Sequence, residues 1–394
     1  MSWETRDPMS ERARFIELYK SRQRTVAGLC REFGISRKTG YKWIQRVELA
    51  GIATGLLEHS RAPHEMPWQT PPEIQQLLVE ARKLHPSWGP RKLKAWLEDR
   101  DTALELPAPS TIGDLLKREG LIRARRRRLK HPPGKGPFGS QILEPNQEWA
   151  VDFKGEFRLG DGRYCYPLTL TDAFSRYLLE VRALEGTAGR RTRPFFERAF
   201  RDFGLPWTIR SDNGTPFAST GLGRLSALSV WWIKLGIRPV RGRPHHPQDN
   251  GRHERMHRTL KAETTRPPAA ESQGQQDRFD AFRKEYNEER PHEALGQRPP
   301  VRLYRPSTRP YPTRIPQVEY PSYYEIRKVG SGGVFGWHGQ PVFIGHSLIG
   351  ERIGLREVQD GLWRVCFADV ELGVLDAVKL KDRKTGKVLP MSPV

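Results

Sequence analysis

The stretch RPHHPQDNGRHERMHRTLKAE, residues 243–263, carries two chemical signatures at once. From His253 it reads H-E-x-x-H, with His253 and His257 one helical turn apart and Glu254 beside the first, a spacing that suits a zinc hydrolase. From Pro247 it reads as a polar turn, P-Q-x-N-G, that delivers the Glu254 carboxylate onto the first turn of a basic helix. That second reading suits a magnesium enzyme acting on nucleic acid. A zinc site of this type needs a third protein ligand, and nothing in the context singles out Glu271 or Glu285 for the role. The motif fixes only three positions. The two histidines read better as partly exposed helix residues near nucleic acid.

Phosphodiester cleavage and transfer at neutral pH need two hard cations ~3.5–4 Å apart, clamping the attacking and leaving oxygens in line. Such cations take carboxylates and water rather than imidazole or thiolate. Two or three acids from separate elements must therefore converge at one edge of a sheet. Asp152 sits mid-strand in WAVDF between apolar neighbours, where a carboxylate is costly to bury without a cation or partner. Asp212 ends the strand WTIRSD and enters the turn SDNG, a place where ligands gather in α/β sheets. Arg258 and Lys261 follow Glu254 on the same helix face and read as a track for substrate phosphates.

The rest of the chain agrees with a polyanionic partner. Lys plus Arg number 67 against 46 Asp plus Glu in 394 residues, a formal net charge of +21, and a surplus of that size points to DNA, RNA or an anionic membrane. No long apolar run and no apolar N-terminal segment supplies a membrane anchor. Cys30, Cys165 and Cys366 lie far apart without a C-x-x-C, which supports neither a disulfide framework nor a cysteine zinc site. A soluble protein of a reducing compartment containing nucleic acid is expected, with no membrane partner.

The elements that must position these residues form a multidomain chain. Over residues 1–60, Phe15, Ile16 and Leu18 open a helix, and TVAGLCREFG forms a second that stops at Gly34. Ser36 caps a third, with Trp43, Ile44 and Val47 inward. This is a helix-turn-helix arrangement, and Arg37, Lys38, Tyr41 and Lys42 face outward for phosphates and guanine edges. Residues 61–122 repeat the plan less basically, with Ser110 expected to cap the last helix; Arg91 and Lys92 are its DNA-contact candidates. The run RARRRRLK, with Arg125, Arg126, Arg127 and Arg128, opens a basic tether over 123–145 that suits a path along phosphates. From 146 to 298 three antiparallel strands precede strand-helix alternation, a mixed α/β layer fold. Residues 299–325, rich in Pro and Tyr and without periodicity, read as a linker. Residues 326–394 hold short strands punctuated by Gly and read as a small β-barrel.

WAVDFKG, RSDNGTPF and HHPQDNGRHERMHRTLK, in that order, closely resemble the core motifs of retroviral-type integrases and bacterial insertion-sequence transposases. YNEERPHEALGQRPP resembles the end of that core. Paired helix-turn-helix units before the core and a small barrel after it are similar to the insertion-sequence branch, and the absence of a His/Cys zinc module agrees. The resemblance spans nearly the whole chain and is strongest over about 146–300. It implies an RNase H-like core, with a mixed five-stranded sheet and flanking helices, and an SH3-like barrel. It implies that Asp152, Asp212 and Glu254 are a catalytic triad binding two Mg²⁺, or Mn²⁺. Gln248 and Asn250 would lie near the transferred DNA end, and Arg258 and Lys261 would hold phosphates. One departure is that Asp212 and Glu254 stand 42 positions apart, wider than the commonest spacing, so an extra loop is expected around 219–227.

On this resemblance the chain is expected to be a DNA transposase of the bacterial cytoplasm, associated with the nucleoid. It would bind the terminal inverted repeats of its element, nick the ends by two-metal hydrolysis and join the freed 3′-OH to target DNA. Two ends must be held together, so a homo-oligomer, at least a dimer, is implied; a helper protein is left open. A DNA-binding regulator with an inactive core, and a nuclease that hydrolyses without joining, are the competing readings.

Overall fold

The computed structural model describes residues 8–58, 69–122, 142–242 and 251–377. The chain divides into two compact units, residues 1–70 and 71–394. In the first, α1 (Pro8–Lys20), α2 (Val26–Glu32) and α3 (Arg37–Gly55) close on Phe15, Leu29 and Trp43. Local chemistry sets the ends of these helices. Thr25 Oγ1 accepts the Gly28 N–H and Ser36 Oγ accepts the Thr39 N–H, so both N-termini are capped by their own side chains. Gly34, at φ +63°, turns α2 into α3. Where the two helices cross, a Cβ on Gly40 would stand 2.5 Å from Cys30 Sγ, so only glycine permits the contact.

In the second unit α4 (Pro72–Leu84), α5 (Pro90–Arg100) and α6 (Pro109–Arg118) pack around Leu78, Trp88, Leu93 and Leu116. Ser110 lies inside α6 rather than capping it; Ala108 holds the cap position with Pro109 in the first turn. The local Pro, pre-set at helical φ, wins over the Ser signal.

The core sheet consists of β1 (Glu148–Phe153), β2 (Phe157–Arg158), β3 (Tyr164–Asp172), β4 (Leu178–Leu184), β5 (Thr208–Ser211) and β6 (Arg238–Arg241). Five strands run in the order β4-β3-β1-β5-β6, and the two-residue β2 adds to the end of β3. β1–β3 and β3–β4 are antiparallel, whereas β1–β5 and β5–β6 are parallel. One face, with Trp149, Val151, Leu168 and Leu170, is covered by α7 (Gly189–Phe203) and α8 (Ala227–Lys234). Residues of α9 (Gly251–Thr264) and α10 (Ser272–Glu288) form a second cluster with Cys165 and Val181 on the other face. Alternation along β1 and β3 sorts their side chains between the two.

The tail forms a four-stranded antiparallel sheet of β7 (Glu325–Lys328), β10 (Arg352–Gln359), β11 (Leu362–Phe367) and β12 (Val370–Asp376), and a hairpin of β8 (Val334–Trp337) and β9 (Gln340–Phe343). The two sheets share one core of Phe335, Trp337, Val342, Leu355 and Phe367. That core also takes in Leu225, and Val230 of α8, from the region of the central sheet. The loop expected around 219–227 is therefore a seat for the tail: it contains a 3₁₀ turn at Leu222–Arg224, and Lys234 Nζ pairs with Glu351 at 2.8 Å beside it.

Residues 299–324 have no regular element beyond a 3₁₀ turn at Pro300–Arg302, as the absence of periodicity suggests, and β7 begins at Glu325, but they are not a free linker. Tyr304 stacks on Tyr177 at 4.3 Å and its hydroxyl donates to Asn146 Oδ1, while Tyr311 and Ile315 pack on the α7–α8 layer. Aromatic burial and side-chain hydrogen bonds hold an extended segment that no periodicity announces.

Gly40→Val drives two methyl groups into the α2–α3 crossing. It is expected to destabilise the first unit by about 1–3 kcal/mol, seen as an earlier unfolding transition in calorimetry of the full chain; an unshifted transition would contradict the close approach.

Candidate active site

The register of two strands sets the site. β1 and β5 pair Glu148 with Thr208 and Ala150 with Arg210. Asp152 follows two residues beyond that pairing in β1 and Asp212 one residue after β5, so both acids stand at the carboxyl ends of neighbouring parallel strands. The register is locked from within the sheet: Arg210 Nε and Nη2 donate to Glu148 Oε1 and Oε2 at 2.8 and 2.9 Å, a two-pronged and largely buried ion pair. Beyond Asp212 the chain turns tightly, with Gly214 N–H donating to Asp212 Oδ1 and Asn213 Nδ2 to the carbonyl of Gly242 beyond β6.

Glu254 comes from α9. A cleft of about 570 Å³ is lined by Asp152 and Glu254 together with four cations, Lys154, Arg258, Lys261 and Arg266. The face that Arg258 and Lys261 are expected to share with Glu254 is thus assembled. Asp212 is exposed and is not among the lining residues, but its charge acts on Asp152. Burial pushes the Asp152 carboxyl up to about 7, reinforced by the negative charges of Asp212 and Glu254 and opposed by Lys154. Partial desolvation also raises Asp212. Among the described residues the three acids do not stand as a closed set of ligands around one point. The like charges of Asp212 and Glu254 act against the ionised form of Asp152, and that repulsion opposes closer approach. The carboxylate oxygens of the acids are the donors that a hard divalent ion takes.

The histidines answer the zinc question. They are buried, at 2% and 4% exposure, not partly exposed. In the antiparallel register Asp152 faces Thr169, so the Thr169 side chain shares the α9 face of the sheet. The Thr169 hydroxyl donates to the Asp152 carbonyl at 3.1 Å. With its only proton committed, it accepts from His253 Nε2–H at 2.7 Å and from His257 Nε2–H at 2.6 Å. The Thr171 hydroxyl in turn donates to His253 Nδ1 at 2.9 Å. Burial drives both imidazoles towards the neutral form, His253 down to about 3 and His257 further. H-E-x-x-H is here a device that fastens α9 to β3. Three of its four ring nitrogens are bonded to threonines, and the fourth, His257 Nδ1, lies 3.8 Å from Asp152 Oδ2. No group of potential metal ligands forms among the described residues. One hydroxyl thereby ties the strand bearing Asp152 to the helix bearing Glu254.

Other site expectations divide. Arg37, Lys38, Tyr41 and Lys42 are all exposed on α3. Arg91 is exposed but pairs with Glu293 at 3.3 Å, and Lys92 turns inward, its ammonium pushed down to about 8 by burial and by Arg290. Nearby, Arg290 Nη1 donates to Glu263 Oε1 at 2.9 Å and Arg100 pairs with Glu289, so this face of α5 meets the core instead of lying open. Arg125, Arg126, Arg127, Arg128, Gln248 and Asn250 lie outside the described residues. Sequence reasoning missed Thr169 and Thr171, whose signal was a pair of hydroxyls alternating in LTLTD where apolar residues would serve a buried strand. It also missed Lys154 and Arg266.

Residues 143–247 and 235–300 match the Integrase core domain family. Residues 11–64 match the Helix-turn-helix domain, residues 39–116 the Homeodomain-like domain, and residues 324–383 the C-terminal domain of the IS481 family transposase. The Insertion element IS476 uncharacterized 39.2 kDa protein of Xanthomonas euvesicatoria is 27% identical over 65% of this chain and 70% of its own length. That of IS407, 31.7 kDa, from Burkholderia multivorans is 26% identical over 63% of this chain and 85% of its own. The chain carries the integrase-type core of a bacterial insertion-sequence transposase. By class it is a polynucleotidyl transferase, and a core of this kind depends on a divalent metal. The Gag-Pol polyprotein of baboon endogenous virus is 29% identical over 49% of the chain, which spans only 11% of that polyprotein. Among solved structures, the HTLV-2 integrase catalytic core in complex with magnesium is 16% identical, covering 42% of this transposase and all of that chain, with a TM-score of 0.34. The simian T-cell lymphotropic virus intasome is 17% identical, covering 74% and 97%, with a TM-score of 0.37.

Because its folded pKa lies above the ordinary value near 4, Asp152 contributes stability fully below about pH 4 and loses it as pH rises through about 7. Asp152→Asn is expected to stabilise the protein in chelator at pH 8 by about 1–3 kcal/mol, read by urea denaturation; a lower midpoint would refute the charge crowding. Thr169→Val leaves three buried groups unmatched and is expected to cost about 2–4 kcal/mol, with Thr169→Ser much milder. Equal midpoints for the two variants would refute the shared hydroxyl.

Proposed function

We propose that Asp152, Asp212 and Glu254 are the catalytic carboxylates, holding two Mg²⁺ ions for which Mn²⁺ substitutes. The observation that supports this reading is that Asp152 and Glu254 line one basic cleft at the sheet edge, with the charge of Asp212 acting on Asp152. A divalent pair bound there would supply the electrophilic assistance that in-line displacement at phosphorus requires. The chain's own residues do the rest. Lys154, Arg258, Lys261 and Arg266 bind and orient the phosphates on either side of the reacting one. Asp152 is held by the strand register, and Glu254 is carried by α9, which His253 and His257 fasten to the Thr169 hydroxyl.

The substrate is duplex DNA. The exposed residues of α3, Arg37, Lys38, Tyr41 and Lys42, recognise the terminal inverted repeats of an insertion sequence, and the arginines at 125–128 follow the backbone. Water attacks the phosphorus at the element end and frees a 3′-OH, the phosphate staying on the flanking 5′ end. That 3′-OH then attacks a target phosphodiester and displaces the target strand's own 3′ oxygen. No side-chain nucleophile is required. Gln248 and Asn250 stand near the transferred end, and two copies or more hold both ends together.

Asp152→Ala, Asp212→Ala and Glu254→Ala are expected to lower strand transfer by at least about 10³-fold while end binding persists in a gel-shift assay. Joining activity retained in any one of them would overturn the triad. Hydrolysed but never joined ends from the wild-type protein would favour a nuclease.

A further inference from the structure

A second basic site lies off the cleft, where the β3–β4 turn meets the start of α9. Its cavity is lined by Arg176, Arg252 and Arg298, with Phe174, Leu295 and Leu303 among its apolar walls and no carboxylate in the lining. Two of the guanidinium groups are drawn together by one oxygen: Arg176 Nη1 donates to the Ala173 carbonyl at 2.8 Å and Arg252 Nη1 to the same carbonyl at 3.3 Å. The two nitrogens therefore lie within about 6 Å of each other. Among the described residues none of the three arginines has a carboxylate within ion-pair distance. The turn that presents Arg176 is fixed by Asp172, whose Oδ2 accepts both the Ser175 N–H and its hydroxyl at 2.7 and 2.6 Å. Arg176 itself adopts φ +66°, a left-handed conformation that costs energy for a residue with a Cβ. Burial and the neighbouring Arg252 and Arg255 lower its pKa to about 10. A strained backbone, then, holds a guanidinium against its own kind.

An anion relieves that arrangement. Guanidinium forks match a tetrahedral phosphate, and the apolar walls suit the sugar beside it rather than a second charge. Arg252 and Arg255 leave α9 on a different side from Glu254, Arg258 and Lys261, so the helix separates this cavity from the cleft. We infer that Arg176, Arg252 and Arg298 form a backbone-phosphate site for duplex DNA, distinct from the one where strands are cut and joined. The identity of the polyanion rests on the reading under Proposed function; the anion site itself does not.

The test is fluorescence anisotropy of the full chain with a labelled duplex in chelator, across a range of salt concentrations. Removing one phosphate-binding cation flattens the slope of log K against log salt by about 0.9. Arg176→Gln/Arg252→Gln is expected to flatten it by about 1–2 and to weaken binding by roughly tenfold at low salt. Arg252→Gln alone, at an exposed position, keeps the test valid should the double variant fold poorly, and is expected to flatten the slope by about 1. An unchanged slope in Arg252→Gln, with wild-type binding intact, overturns this site alone. Absence of salt-dependent binding by the wild-type chain overturns the DNA reading as well. Inorganic phosphate that raises the wild-type melting temperature but not the variant's, with slopes unchanged, would make this a small-anion site and also overturn the proposal.

Discussion

Carboxylates gathered at one end of a sheet, one of them largely withdrawn from water, are the constraint around which this protein is arranged. A carboxylate on an interior strand is unfavourable wherever it is not answered, and Asp152 has the further burden of two acidic neighbours. The surroundings do not remove that burden. They keep it in place: the Glu148–Arg210 fork prevents β1 and β5 from slipping, and a slip of one residue would turn Asp152 into the opposite layer. The stability forgone at the sheet edge is recovered from the aromatic layer of Trp149, Phe196, Phe200 and Trp232 on the other face.

α9 is organised by the same logic. Its inward positions hold two neutral imidazoles rather than leucines, and they meet hydroxyls on β3. An apolar seam would bury the helix as well but would let it slide or rotate, because dispersion forces are weakly directional. Directional bonds from one Thr169 oxygen fix both the rotation and the height of the helix, and with them the position from which Glu254 reaches the cleft. The outward positions are left to cations: Arg258 and Lys261 on the cleft side, Arg252 and Arg255 on another.

Much of this was legible in the sequence because it is local. The apolar neighbours of Asp152, the turn after Asp212 and the basic stripe below Glu254 each lie within a few residues of the acid they frame, and the helix caps at Thr25 and Ser36 are equally short-range. What escaped is long-range. Nothing near His253 reveals that its partners sit 82 and 84 positions earlier. Lys92 looks like any other surface cation until Arg290 and the other groups of the core are set against it. Tyr304 and Tyr311 lie in a stretch without period, and only the folded core shows that rings can be buried from an extended strand of chain. The Ser110 cap failed for a local reason, since an adjoining proline competed for the same helix start.

The seat of the C-terminal sheets bears on what counts as a module in this protein. Leu225 and Val230 belong to the tail's interior although they stand between two of the proposed catalytic acids in the chain. A fragment ending at the last core helix would expose that apolar surface to water and leave Lys234 without its partner. The barrel-like tail is thus a wall of the catalytic half rather than an appendage, and evolution can exchange it for another only together with the loop that follows Asp212.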